Sequence, residues 1–161
     1  MRPATMRLRE NADAGRRARL QLDDFLPYLI NRVGMALVAR FTGLALAQPK
    51  LTIDMWRVLA ALSDHGRRQV DLAGMTSIDA STISRMVTRL MHKGLVKRSR
   101  SRANGREVVV ELTARGKGLV GRLIPVALSV ESSAVGAMHA RDLARIKRLL
   151  RRMYANLAES P

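Results

Sequence analysis

"DASTISRMVTRLMHKGLVKRSRSRANGREVVVELT", residues 79–113, decides how this chain is read. Its first half has a helical period: Ile83, Val87 and Leu90 recur at spacings of four and three, with Met86 beside them. Asp79 is placed to cap the start, and Gly94 to take the left-handed position just past the end. The outward face is Ser81, Thr82, Ser84, Arg85, Thr88 and Arg89, a set of short hydroxyls and guanidinium groups. The second half holds two strand-like runs, "LVKRS" and "REVVVEL", separated by Asn104-Gly105, a dipeptide suited to a tight hairpin. Arg98, Arg100, Arg102 and Arg106 fall within nine positions of that hairpin.

Upstream, Asp24 is expected to cap a long helix with Pro27 in its first turn. Leu26, Leu29, Val33, Leu37, Phe41 and Leu44 form its apolar stripe, and Pro49 stops it. Thr52 caps a second helix with Trp56, Leu59 and Leu62 on one side, and "QVDLAGMTS" reads as a short third. Downstream, Thr113 caps a helix through Leu119, Leu123 and Leu128 that contains Pro125, a predicted kink. A last helix starts near His139; its residues Leu143, Ile146, Leu150, Met153 and Leu157 follow the alternating a/d spacing of a helix–helix seam. Residues 1–22 are basic without a sustained period and are expected to be a mobile arm.

The chain has 161 residues and a formal charge of +16, which points to a polyanionic partner. Every apolar stretch is interrupted by Arg, Gly, Pro or Asp before the roughly 18 residues of a spanning helix, so no membrane partner is expected. No apolar core follows the basic N-terminal stretch, and a cytoplasmic location is expected. With no cysteine, disulfides and thiol redox switches are excluded within the chain. His65, His92 and His139 lie far apart in sequence, no Ser sits in an elbow motif and no carboxylate pair stands out. Neither a metal, a cofactor nor catalysis is expected.

Three helices followed by a basic hairpin make a winged helix-turn-helix. The expected fold is mainly α with a small β-wing, a winged helix-turn-helix domain plus a helical dimerisation domain. The major groove of B-DNA admits one helix, and its base edges are read by polar side chains and arginine. A hairpin arginine can enter the minor groove while its neighbours meet phosphates. As an isolated run, residues 98–106 could equally be a solvated charged face.

"NGREVVVELT" resembles the D-x-R-x-x-x-V-x-L-T wing motif of the MarR family of bacterial transcription regulators, with Arg106, Val110, Leu112 and Thr113 in the matching places. Asn104 stands where that motif has Asp. The resemblance extends to "WRVLAAL", "QVDLAGMTSIDASTISRMVTRLMHKGLVKR" and "LTARGKGL", and in outline covers residues 24 to 159. It implies a homodimer whose first and last two helices interlock, with Arg106 as the minor-groove arginine. The expected division is then an arm over 1–22, a dimerisation region over 23–50 and 114–160, and a DNA-binding domain over 51–113. Within the last, the recognition helix is placed at about 79–93 and the wing at about 95–112.

The expected DNA-binding residues are Ser81, Thr82, Ser84, Arg85, Thr88, Arg89, Arg98, Arg100, Arg102 and Arg106. The stripe from Leu143 to Leu157 serves either as the dimer seam or as packing within one chain. Arg32 lies in an apolar stretch and needs an anionic partner. Either Asp23 or Asp24 of a second copy supplies it, or an incoming ligand does. Effectors of proteins similar to this one often bind between the dimerisation helices and the DNA-binding lobe, and small aromatic carboxylates are frequent. Tyr28, Arg32, Trp56 and Arg57 are therefore candidate effector contacts. The expected function is a ligand-responsive transcription regulator, a repressor binding a pseudo-palindromic operator as a homodimer. The alternative is a non-specific or architectural nucleic-acid-binding protein without an effector.

Overall fold

The structure is a computed structural model, and it describes residues 20–47, 50–100 and 107–158. The chain divides into two units, 1–36 and 37–161. Most of the expected N-terminal arm lies outside the described residues. A 3-10 turn at Leu22–Asp24 leads into helix α1 (Leu26–Phe41). The carbonyl of Phe25, not Asp24, accepts the first helical hydrogen bond, from the Leu29 amide at 3.1 Å. Asp24 belongs to the preceding turn and does not cap the helix.

α1 passes directly into a π-helical turn, Thr42–Leu46, well before Pro49. The wider turn rotates the residues after Phe41 relative to an α-helical count. The inward position therefore falls on Leu46, 1% exposed, and the expected Leu44 is 63% exposed. Leu26, Leu29 and Val33 are exposed as well, so the stripe expected along α1 reaches the core only in its second half, through the half-buried Leu37 and the buried Phe41.

The second unit is built on α2 (Ile53–Ala61), α3 (Gln69–Thr76) and α4 (Ala80–His92), followed by β1 (Val96–Arg100) and β2 (Val108–Leu112). Helices α5 (Ala114–Val135) and α6 (Ala140–Ala158) complete it. The Oγ1 of Thr52 caps α2 by accepting from the Met55 amide at 3.2 Å. Met55, Val58, Leu59 and Leu62 form its buried face. Trp56 is only half-buried, against Phe41 with ring centroids 5.2 Å apart. The core gathers these residues with Leu72, Ile83, Val87, Leu90, Leu95, Val96, Val110, Leu112, Val120 and Leu123.

The strands are antiparallel, with Val96 opposite Leu112, Arg98 opposite Val110 and Arg100 opposite Val108. Arg67, between α2 and α3, adds a third rung: its amide donates to the Val110 carbonyl at 2.9 Å and its carbonyl accepts from the Val110 amide at 2.8 Å. The hairpin is thus tied to the helical part from both sides. After α4, the Gly94 amide donates to the Met91 carbonyl and the Leu95 amide to the Leu90 carbonyl, a Schellman closure with Gly94 at φ +66°.

Thr113 caps α5 by accepting from the Gly116 amide at 3.0 Å, and its hydroxyl donates to the Gly94 carbonyl at 2.7 Å. That junction is so close that a Cβ on Gly116 would stand 2.0 Å from the Leu95 carbonyl oxygen. α5 runs on through Pro125. By length and composition alone, Leu26–Leu46 and Ala114–Val135 are long and apolar enough to cross a bilayer. This corrects the expectation from interrupted apolar runs, because scattered Arg and Gly lower the mean hydropathy too little. The second segment nevertheless buries Val120, Leu123 and Val130 in the core.

Candidate nucleic-acid interface

α4 presents a strongly two-sided surface because Ile83, Met86, Val87 and Leu90 anchor one side in the core. Ser81, Arg85, Thr88 and Arg89 are exposed on the other, with Thr82 and Ser84 half-buried beside them. At the helix start, the Asp79 carboxylate accepts from the Thr82 amide at 2.8 Å and from the Ser81 hydroxyl at 2.6 Å. The hydrogen bonds from Ser81 and Thr82, with the nearby Arg85 charge, hold the Asp79 carboxyl well below the usual carboxylate range.

The positive end of the α4 dipole is therefore occupied by a carboxylate of the chain itself. Cationic character on this face comes instead from side chains. The Arg85 guanidinium donates to the Thr82 hydroxyl at 3.1 Å, and the Thr88 hydroxyl donates to the Ser84 carbonyl at 3.1 Å. These exposed hydrogen bonds hold the polar groups in place and can be exchanged for other polar partners at little cost.

On the hairpin, Arg98 and Arg100 are exposed and alternate with Lys97 and Ser99. Lys97 pairs with Glu111 across the strands at 3.1 Å. Arg102 and Arg106, with Asn104 and Gly105, lie outside the described residues. At the turn end of the hairpin, just before β2, Glu107 approaches Arg68 at 3.7 Å, while Arg68 also donates to both Asp71 carboxylate oxygens, at 2.8 and 2.9 Å. Arg68 thereby joins the first turn of α3 to the start of β2. The hydrogen bonds and charge of Asp71, with Glu107, push the Arg68 guanidinium up, and Asp71 is lowered mainly by Arg68.

Sequence reasoning missed Arg67 and Arg68 as organisers of the hairpin, because their partners are distant or set by the fold. It also missed a basic groove of about 610 Å³ lined by His92, Lys93, Arg115 and Arg122 over Leu95 and Leu119. The seven-residue spacing of Arg115 and Arg122 on α5 was the available signal.

The candidate effector residues fall into two sets. In the first unit the Arg32 guanidinium stands 5.6 Å from the centroid of the Tyr28 ring, a cation–π arrangement, and forms no ion pair among the described residues. In the second, Trp56 and Arg57 line an open groove of about 540 Å³ with Met75 and Ser77. Arg57 is already paired there with Asp54 at 2.9 Å. On the expected seam, Leu143 and Met153 are half-buried, while Ile146, Leu150 and Leu157 are 39, 43 and 77% exposed. No cluster of metal-ligating side chains occurs among the described residues.

A capped polar helix beside a basic two-stranded hairpin defines a winged helix-turn-helix protein of the DNA-binding kind. Residues 51–108 match the MarR family. The HTH-type transcriptional repressor NicR of Pseudomonas putida is 37% identical over 106 residues, spanning 65% of this chain and 67% of NicR. The transcriptional regulator HosA of Escherichia coli is 31% identical over 106 residues, 65% of this chain and 78% of HosA. The solved structure of Bordetella bronchiseptica BpsR, whose DNA binding is regulated by 6-hydroxynicotinic acid, superposes with a TM-score of 0.72. It is 28% identical and covers 89% of this chain and 100% of that one. The chain belongs to the MarR family of transcription regulators.

Proposed function

We propose that this protein is a cytoplasmic, homodimeric repressor that binds a pseudo-palindromic operator and leaves it when a small ligand binds. The observation that carries the reading is the exposed set of Ser81, Arg85, Thr88 and Arg89 on a core-anchored α4, beside the exposed Arg98 and Arg100 of the hairpin. Arg85, Arg89 and the hydroxyls around them read base edges in the major groove; Arg98, Arg100 and Arg102 meet phosphates, and Arg106 enters the minor groove. The region 51–113 acts as the DNA-binding domain, and 23–50 with 114–160 as the dimerisation region. Residues 1–22 act as a basic arm.

Release follows from geometry. Two recognition helices must reach successive major grooves about 34 Å apart, so a modest rotation of the lobes prevents simultaneous engagement. An aromatic carboxylate is the effector class, supported by Arg32, which stands beside Tyr28 and forms no ion pair among the described residues, and by the 6-hydroxynicotinic acid that regulates BpsR. The Trp56–Arg57 groove is the second candidate site and is weaker, because Asp54 already neutralises Arg57.

DNA fragments selected by the purified protein from a random pool supply the operator. On it, Arg85→Ala and Ser84→Ala lower affinity and relax sequence preference, each base interaction being worth about 1–3 kcal/mol. Arg106→Ala lowers affinity on operator and random DNA alike. Equal losses on both DNAs for all three variants would support the non-specific reading instead. Titration with aromatic acids separates the effector residues: Arg32→Ala loses the ligand response and keeps operator binding.

A further inference from the structure

α6 carries a second cationic surface, separate from the recognition helix and the hairpin. It holds Arg141, Arg145, Lys147, Arg148, Arg151 and Arg152 against one acid, Asp142. At about 100° per residue, Arg141, Arg145, Arg148 and Arg152 share an arc of about 60° and a row about 16 Å long. All four are exposed. Among the described residues Arg145, Arg148 and Arg152 form no ion pair, and Arg141 only approaches Asp142 at 3.8 Å.

Two interactions fix which way this row faces. Lys147 pairs with Glu131 on α5, and the Tyr154 hydroxyl lies 2.9 Å from the Ser77 hydroxyl, just before the start of α4. Lys147 and Tyr154 sit about 140° around the helix from the arginine row. The Leu143–Leu157 stripe is about 150° from it. The row therefore points away from the helix-turn-helix, and it stays in solvent when the apolar stripe is covered by a second copy.

A surface needed only for solubility mixes signs. Here the neighbouring pairs 141/145, 145/148 and 148/152 are all arginine–arginine, and each such pair destabilises the helix unless an anion lies against it. Arginine is also the cation suited to phosphate, through its planar fork of donors. An anionic membrane fits less well, because an interfacial helix inserts its apolar face, and on α6 that face is the stripe proposed as the dimer seam.

We propose that the Arg141–Arg145–Arg148–Arg152 row docks the phosphate backbone of a second DNA duplex, so that protein seated on one DNA through α4 and the hairpin holds another through α6. The site goes beyond operator reading and is tested apart from it. The probes are an immobilised mixed-sequence duplex, sparsely coupled, and a fluorescent duplex of unrelated sequence. The full-length protein and an Arg145→Gln, Arg148→Gln, Arg152→Gln variant are compared on both. The variant binds the immobilised duplex as the parent does, but captures about tenfold less of the fluorescent one. Its capture also shows a shallower salt dependence, by about 0.9 for each phosphate that the removed arginines had neutralised. Equal capture by parent and variant would overturn the proposal. So would loss of the dimer on sizing of the variant, which would make these arginines interface partners, or binding of the parent row to anionic phospholipid vesicles in preference to the second duplex.

Discussion

At the scale of single residues, the junction of α4, β1 and α5 is the least forgiving part of the molecule. Gly116 has no room for a side chain, since a Cβ would stand 2.0 Å from a backbone oxygen that cannot turn aside. Gly116→Ala is therefore expected to destabilise by the upper end of the ~1–3 kcal/mol that overpacking costs, or more, read as a lowered thermal midpoint. Gly94, at φ +66°, tests a different cause, since its virtual Cβ meets only the Arg115 guanidinium at 4.0 Å. Gly94→Ala should cost about 1 kcal/mol through backbone strain, with Gly94→Asn milder because Asn tolerates that region better. Asp79 adds a pH signature. Its native carboxyl is held low, so the stabilisation from the cap is fully present above the ordinary carboxylate range of about 4 and is lost as the pH falls through the lower native value. Urea titrations across the acid range should show wild type and Asp79→Ala converging as the pH falls; a constant gap would mean the cap is not ionic.

At the scale of elements, the caps of α2, α4 and α5 and the periods of α2 and α4 were legible because their causes are local, whereas on α5 the expected Leu128 is exposed and Val130 is buried instead. Thr52, Asp79 and Thr113 each bond an amide three residues ahead, and Gly94 takes the left-handed turn. The misses have longer-range causes. A π-helical turn shifts the inward position from Leu44 to Leu46, and no residue pattern in "FTGLALA" signals it. The third rung at Arg67 and the Arg68–Glu107 approach join segments about forty residues apart, which spacing along the chain cannot reveal. The exposed faces of α1 and α6 gave a clear sequence signal, but the spacing does not say what covers them. Leu150→Glu tests the seam: the side chain is 43% exposed, so the single chain should keep its fold while the dimer dissociates in sedimentation measurements. An unchanged dimer would place the interface elsewhere.

At the scale of the whole molecule, the excess of cations is distributed with a purpose that composition alone does not show. Among the described residues, cations gather on the α4 face, the hairpin, the basic groove at the end of α4 and the α6 row. The proposed function assigns the first two as a DNA-reading pair. The candidate DNA-binding residues were chosen where chemistry and spacing coincide on α4, while the candidate effector residues were read from residue type alone. Arg57 shows the limit of that approach, since its charge is already answered by Asp54 one turn away. Arg32, with only the Tyr28 ring against it among the described residues, keeps the stronger claim.

The central claim is that two copies read two half-sites through paired α4 helices. Footprinting on DNA selected by the full-length protein, combined with the measured number of chains per fragment, tests it most directly. The account predicts an inverted repeat with half-site centres about one helical turn apart, protected by two chains. Protection of a non-repeating sequence by a single chain would contradict it.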